Sequence, residues 1–428
     1  MWRHCRPGRT NKVPRPLQFK THAARFSSHE TISIPTQSND ALSLDIHHPT
    51  SFSPPPSSTV PPTVLIYLPR GPLLANESHE ASNISLLRTS LPWTIVKLNY
   101  DHLLGQGANR FPALIHNVLA GYDWCHEHLL PKRSITRTGR SQHVGRIVVC
   151  GELLGGGLAS MLALTECRAT QPGIVAAALS NPITDWVGLD ECAHSTRSSR
   201  RTQFAAPSLE TELSTLKTQL FPNPTSSFDP FASPILFFRS AGINIPTRPP
   251  DPPLDDLEHL SLLEREEFFL EQHALSLITT ETHTSQPSTP NATPEPQRRK
   301  PKASKRFPSA SLCLRLPRFH ISSSFLASPL EAQAKELVHQ LRLSVARQNG
   351  RASETFGRKV LQSDEERDDC TRQLISEAED CIRHAEYGGQ GTSKTDRGKV
   401  ERLRLWDDSP EGKRRVMDVA NWLRDTFT

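Results

Sequence analysis

The stretch RIVVCGELLGGGLASMLALTE, residues 146–166, decides how the chain is read. It opens on a short apolar run, bends within a few glycine-bounded residues, and continues in small and apolar side chains. An apolar run of this length, closed by turn residues, is the pattern of a strand buried on both faces. The residues from Gly156 to about Arg168 have the length of a helix, and the glycines Gly155, Gly156 and Gly157 allow close helix-to-strand packing. So sharp a strand-to-helix bend lifts one side chain to its apex. Here that side chain is Leu153.

Outward from this stretch the rhythm repeats. TVLIYLP (63–69), WTIVKLNY (93–100) and GIVAAALSNPI (173–183) read as further buried strands. FPALIHNVLAGYDWCHEHL (111–129) carries Leu114, Val118, Tyr122 and Cys125 at helical spacing. Strand alternating with helix predicts a mostly parallel, doubly wound α/β sheet. Upstream, TISIPT and ALSLDIHHP alternate like a half-buried hairpin, with the proline-rich SFSPPPSSTVPP (51–62) as a link.

The rhythm breaks between 187 and 310, which reads as a cap or insertion with helical pieces such as PSLETELSTLKTQLF. Its stretch 279–310 is polar, rich in Pro and Thr and closed by a basic cluster, a composition that predicts disorder. The α/β pattern resumes with SLCLRLPRFHISSS (311–324) and LEAQAKELVHQLRLSVARQ (330–348). An acidic insertion (363–387) follows, then KVERLRLW (399–406) as an expected last strand and GKRRVMDVANWLRDTF (412–427) as a closing amphipathic helix. The expected organisation is a basic tail (1–29), an N-terminal half (30–186), the insertion and a C-terminal half (311–428).

Composition bounds the function. The chain has 428 residues, of which 36% are hydrophobic and 36 are Pro, so a core forms from part of the chain only. The net charge of +5 comes without interleaved aromatics or a basic helical motif, which argues against nucleic-acid binding. No apolar run reaches the ~18–20 residues of a membrane span, so no transmembrane segment is expected. Eight scattered cysteines without CxxC or His-paired spacing point to free thiols, no metal and no cofactor. His116, His126 and His128 share a helix but lack companion ligands. The first 29 residues hold seven Arg or Lys and no acid, which resembles a mitochondrial presequence and predicts a matrix location, with the cytoplasm as the alternative.

Four blocks, in this order, carry a family resemblance: VLIYLPRGP, TIVKLNYDH, FPALIHNVLAGYDWCHEHL and RIVVCGELLGGGLASMLAL. Together they resemble the α/β-hydrolase superfamily, in its hormone-sensitive-lipase-like or fold-3 esterase branch. The likeness is close over 60–186, looser over 311–348 and 399–427, and poor between. It implies an α/β-hydrolase fold and a pocket above the bend, with carboxylic-ester hydrolysis as the relatives' chemistry.

The residues that chemistry needs are missing. Gly151 and Gly155 stand at the two glycines of Gly-x-Ser-x-Gly, which puts Leu153 where the resemblance requires a nucleophilic serine. A hydrocarbon cannot attack a carbonyl. The loop implied to supply oxyanion donors reads Pro69-Arg70-Gly71-Pro72, and its two prolines have no N–H. Leu154 retains its own. The implied acid position, before Pro-Leu and a helix, holds Ser328, with Glu331 one turn on. The implied base position, near Asp407, has no histidine, and none follows His384. Arg70, Gly71, Glu152, Leu153, Leu154, Gly155 and Gly156 are the expected pocket and oxyanion-like residues, Glu152 chiefly as an anchor of the turn. Ser141, Ser160 and Ser240 lack the elbow context.

The sequence therefore points to an inactive hydrolase-like protein that binds a lipophilic small molecule or a protein partner. Two alternatives stay open: an ester hydrolase with a non-standard nucleophile, and a docking subunit of a mitochondrial assembly.

Overall fold

The computed structural model describes residues 29–36, 41–49, 62–73, 76–100, 110–130, 145–168, 173–189, 209–240, 305–309, 312–324, 328–355, 373, 376–387 and 405–427. Residues 1–28 of the basic tail, all of 241–304 and the KVERLR part of the expected last strand lie outside them.

Eight strands form one sheet: β1 (His29–Pro35), β2 (Ala41–His47), β3 (Thr63–Leu68), β4 (Thr94–Asn99), β5 (Arg146–Glu152), β6 (Ile174–Ser180), β7 (Arg318–Ser324) and β8 (Ile382–Tyr387). Their order is β1-β2-β4-β3-β5-β6-β7-β8. β2 pairs antiparallel with both β1 and β4, and every later pairing is parallel. The central strands are apolar on both sides because both faces are covered.

Alternation along the strands divides two cores. Ile147 and Val149 of β5 join one apolar cluster, Val148 and Cys150 the other. The first face carries α2 (Ala113–His128), α3 (Leu154–Thr165), α4 (Leu209–Leu220) and α5 (Pro329–Thr355). The second carries α1 (Glu77–Ser90) and α6 (Pro410–Phe427), with Trp93, Trp406 and Trp422 among its large side chains.

Two elements differ from the sequence reading. Among the described residues the last strand is β8, supplied by the end of the acidic stretch; Leu405 and Trp406 of KVERLRLW are buried outside any strand, and the rest of that stretch lies outside the described residues. β8 is an edge strand that buries Ile382 and leaves much of its other surface wet, so its composition looks like a helix or loop. Helix α1 carries little apolar periodicity. It is set by Asn76, whose side chain accepts from the N–H groups of Ser78 and His79, and by packing against α6.

Order β4-β3-β5 makes β3 and β5 a switch point. The chain leaves β3 toward α1 on one face and β5 toward α3 on the other, which opens a crevice at their C-terminal ends. The loop 69–72 and the bend at Leu153 meet there.

Candidate functional site

Leu153 sits at φ +52 and ψ −114, the strained conformation of a strand-to-helix bend. Its N–H donates to Ser180 O (3.0 Å), and its carbonyl accepts from Gly157 N (3.0 Å) and Ile183 N (3.1 Å). The side chain is fully buried in the core of the α3 face. Glycine makes this geometry possible. A Cβ on Gly155 would stand 2.1 Å from Pro69 O, and one on Gly157 would stand 2.2 Å from Ile183 O.

The loop before the crevice already uses part of its hydrogen-bonding capacity. Pro69 O accepts from the buried Tyr100 hydroxyl, and Arg70 N–H reaches Glu80 Oε1 at 3.3 Å. Gly71, at φ +79, lies against Leu154: a Cβ added to it would meet Leu154 Cδ2 at 3.0 Å. An isobutyl group therefore fills space between the two backbones that would have to cradle a developing oxyanion.

Glu152 and Arg70 face the other core. Glu152 Oε2 pairs with Arg70 Nη2 at 2.9 Å, and both side chains are almost wholly buried. Trp406 N donates to Glu152 Oε1 (2.8 Å), while Trp406 O accepts from Arg70 Nη2 and Asn83 Nδ2, each at 2.9 Å. Ser180 Oγ adds 3.3 Å to Glu152. Burial pushes the Glu152 carboxyl above its usual range, opposed first by the Arg70 guanidinium. The carboxylate anchors three segments at once: the 69–72 loop, the bend, and the stretch entering α6. Cutting one member of such a pair strands a buried charge.

The other sequence-derived positions serve the starts of helices. Ser328 Oγ accepts from Glu331 N at 3.2 Å, and Glu331 pairs with Lys335 at 2.8 Å. Asp407 Oδ1 accepts from Ser409 Oγ at 2.5 Å. Ser160 bonds back to Gly157 O within α3, and Asn83, a glycosylation sequon in sequence, is buried. His128 stacks on Trp124. Among the described residues no cluster has the ligands to hold a metal, and no helix is long and apolar enough to cross a membrane.

A cavity of about 20 Å³ opens beside the bend. Leu154, Gly157, Leu158 and Ile183 form its floor, and Phe111, Trp186, Phe221 and Phe231 its walls. Leu153, Glu152 and Arg70 are not part of its lining. The α4 segment and the turns after it, which sequence patterning left unassigned to any site, supply Leu220, Phe221, Phe231 and Ala232. Their only sequence signal is the clustering of Phe between 221 and 238.

Elsewhere a hydroxyl does meet an imidazole. Ser323 Oγ of β7 lies 3.1 Å from His384 Nε2 of β8, and His384 Nδ1 lies 3.7 Å from Glu386. This group sits under α5, away from the cavity, and Ser323 is 1% exposed.

Residues 83–244 match a family model described as alpha/beta hydrolase fold. Among solved structures, an esterase of Pyrobaculum calidifontis aligns at 13% identity and TM-score 0.48, covering 94% of this chain and 86% of that one. A study of two esterases from the fungus Rhizomucor miehei gives 13% identity, TM-score 0.46 and coverage of 93% and 82%. Carboxyl esterase 2 of Tuber melanosporum gives 11%, 0.46, and 95% and 90%. No curated protein matches the sequence significantly. The strand order and the glycine-packed bend after β5 agree with the family match, so residues 83–244 are similar to the alpha/beta hydrolase fold.

Proposed function

We propose that the protein is catalytically silent at its elbow and acts by holding a lipophilic small molecule beside it. The observation that carries the reading is Leu153: the apex of the bend is a buried hydrocarbon with no proton to lose. Support comes from Leu154 packed on Gly71, from Ser328 capping a helix, from Asp407 bonded to the capping Ser409, and from a neighbouring cavity lined by apolar residues. Purified protein is expected to turn over p-nitrophenyl butyrate no faster than buffer. A Leu153→Ser variant is expected to stay silent as well, since among the described residues neither carboxylate nor imidazole accompanies the new hydroxyl. Ester turnover by that variant alone would overturn the reading.

One observation favours a second reading, hydrolysis by a non-standard nucleophile. The Ser323–His384–Glu386 line has the atom order of a nucleophile, its base and an orienting carboxylate. The burial of Ser323 stands against it. Fluorophosphonate labelling that disappears in Ser323→Ala would establish it. We also read the basic residues 1–29 as a mitochondrial import signal, with docking into a larger assembly there as the third option. A fluorescent fusion confined to the cytosol would exclude both.

A further inference from the structure

Among the described residues lining the cavity beside the bend, Phe231 is exposed and Phe111 is half-buried. At about 20 Å³ it has room for about one water molecule, whereas pockets that enclose a drug-sized ligand run to about 300–1,000 Å³. Leu114, Leu158, Trp186 and Leu220 are each at most 5% exposed, so that side is closed core. Phe231 is 40% exposed and still lines the cavity.

The backbone under Phe231 is pinned. Its N–H donates to Asp229 Oδ1 (2.9 Å), and Ala232 and Ser233 N–H donate to Asp229 O at 3.0 and 2.8 Å. Ser233 Oγ donates to Ser227 O and accepts from Trp186 N. The ring itself is held on one side by an edge contact with Phe237, centroids 5.8 Å apart. The chain there resists moving while the side chain does not, and half-exposed rings change rotamer readily.

We propose that Phe231 is a swinging wall, whose rotation admits an amphiphile with one unbranched alkyl tail while the head group stays at the surface. The tail class follows from the lining. Apart from the indole N–H of Trp186, a donor only, no lining side chain offers a hydrogen bond, so most polar atoms drawn inside would be left unpaired at a cost of several kcal/mol. The shape follows from the size: a ring's displacement frees room for a single chain, not for a fused ring system. This inference rests on the binding reading above.

Octyl glucoside and cyclohexyl glucoside, both below micelle-forming concentrations, test it by titration calorimetry against wild type, Phe231→Ala, Phe231→Trp and Phe228→Ala. Phe228 is the control, since it is 52% exposed and lies outside the lining. If the open state is a minor one, deleting the wall tightens octyl glucoside binding about tenfold or more. Phe231→Trp is expected to weaken it and Phe228→Ala to leave it as in wild type, with cyclohexyl glucoside bound more weakly throughout. Wild-type binding that Phe231→Ala leaves unchanged, or equal effects of Phe231→Ala and Phe228→Ala, overturns the wall and spares the binding reading. Binding of octyl glucoside by none of the four overturns both.

Discussion

With a β-carbon at φ +52, Leu153 bears a backbone cost of about 1–3 kcal/mol that no reaction here recovers. The bend survives because its surroundings dictate it: three hydrogen bonds fix the Leu153 peptide groups, and the glycines on either side permit no other approach of α3. This yields an inverted ranking of substitutions. Truncating a buried leucine to alanine costs about 2–5 kcal/mol, and glycine ordinarily costs more than alanine. At this position glycine also escapes the left-handed penalty of about 1–2 kcal/mol. Leu153→Gly is therefore expected to be at least as stable as Leu153→Ala in urea unfolding. A glycine variant clearly weaker than the alanine one would mean that the bend stores no strain. Leu153 was readable in sequence because flanking glycines mark an apex. The Arg70–Glu152 pair was not, since nothing in either local stretch says that the two side chains leave the crevice and meet Trp406 in the opposite core.

Helix α3 is placed by close contact, and three adjacent glycines separate how. A methyl on Gly155 or Gly157 would collide with a backbone carbonyl oxygen, which cannot rotate away. A methyl on Gly156 would find Pro182 Cα at 3.1 Å, tight but a few tenths of an ångström from ordinary contact. Gly155→Ala and Gly157→Ala are expected to cost about 3 kcal/mol or more, at or beyond the upper end of overpacking effects. Gly156→Ala is expected near neutral, its crowding offset by a helix-propensity gain of up to about 1 kcal/mol. Thermal melts of the three variants check this, and equal losses in all three would mean that α3 rides higher above the sheet. The same contrast explains which elements were legible. β3, β5 and β6 are continuous apolar runs because they are covered twice, and α2 shows its buried stripe. α1 and β8 depend on a cap, on an edge and on tertiary partners, none of which leaves a strong periodic trace.

Across the whole molecule, burial has left histidines that must stay neutral. His320 lies on β7 facing α6, its ring 5.3 Å from that of Trp422, and His47 lies on β2 beside His29. Desolvation lowers both to about 4, helped by Arg383 for His320 and by His29 for His47. The unfolded chain binds these protons near pH 6.5 and the folded chain only near pH 4, so below 6.5 the unfolded state holds more protons. Stability present above pH 6.5 is thus lost progressively as pH falls toward 4. Asp45, whose carboxyl is lowered, acts in the same direction but below its ordinary 3.8, which sets it apart from the histidine window. Asp123 and Glu166 are raised by burial and oppose the loss at its lower end, so a bare acid curve mixes signs. Comparison with His320→Gln removes that ambiguity, because the carboxylates remain in both proteins. Wild type is expected to lose more unfolding free energy than His320→Gln between pH 6.5 and 4, and parallel curves would mean that His320 takes up its proton without opening the β7–α6 contact.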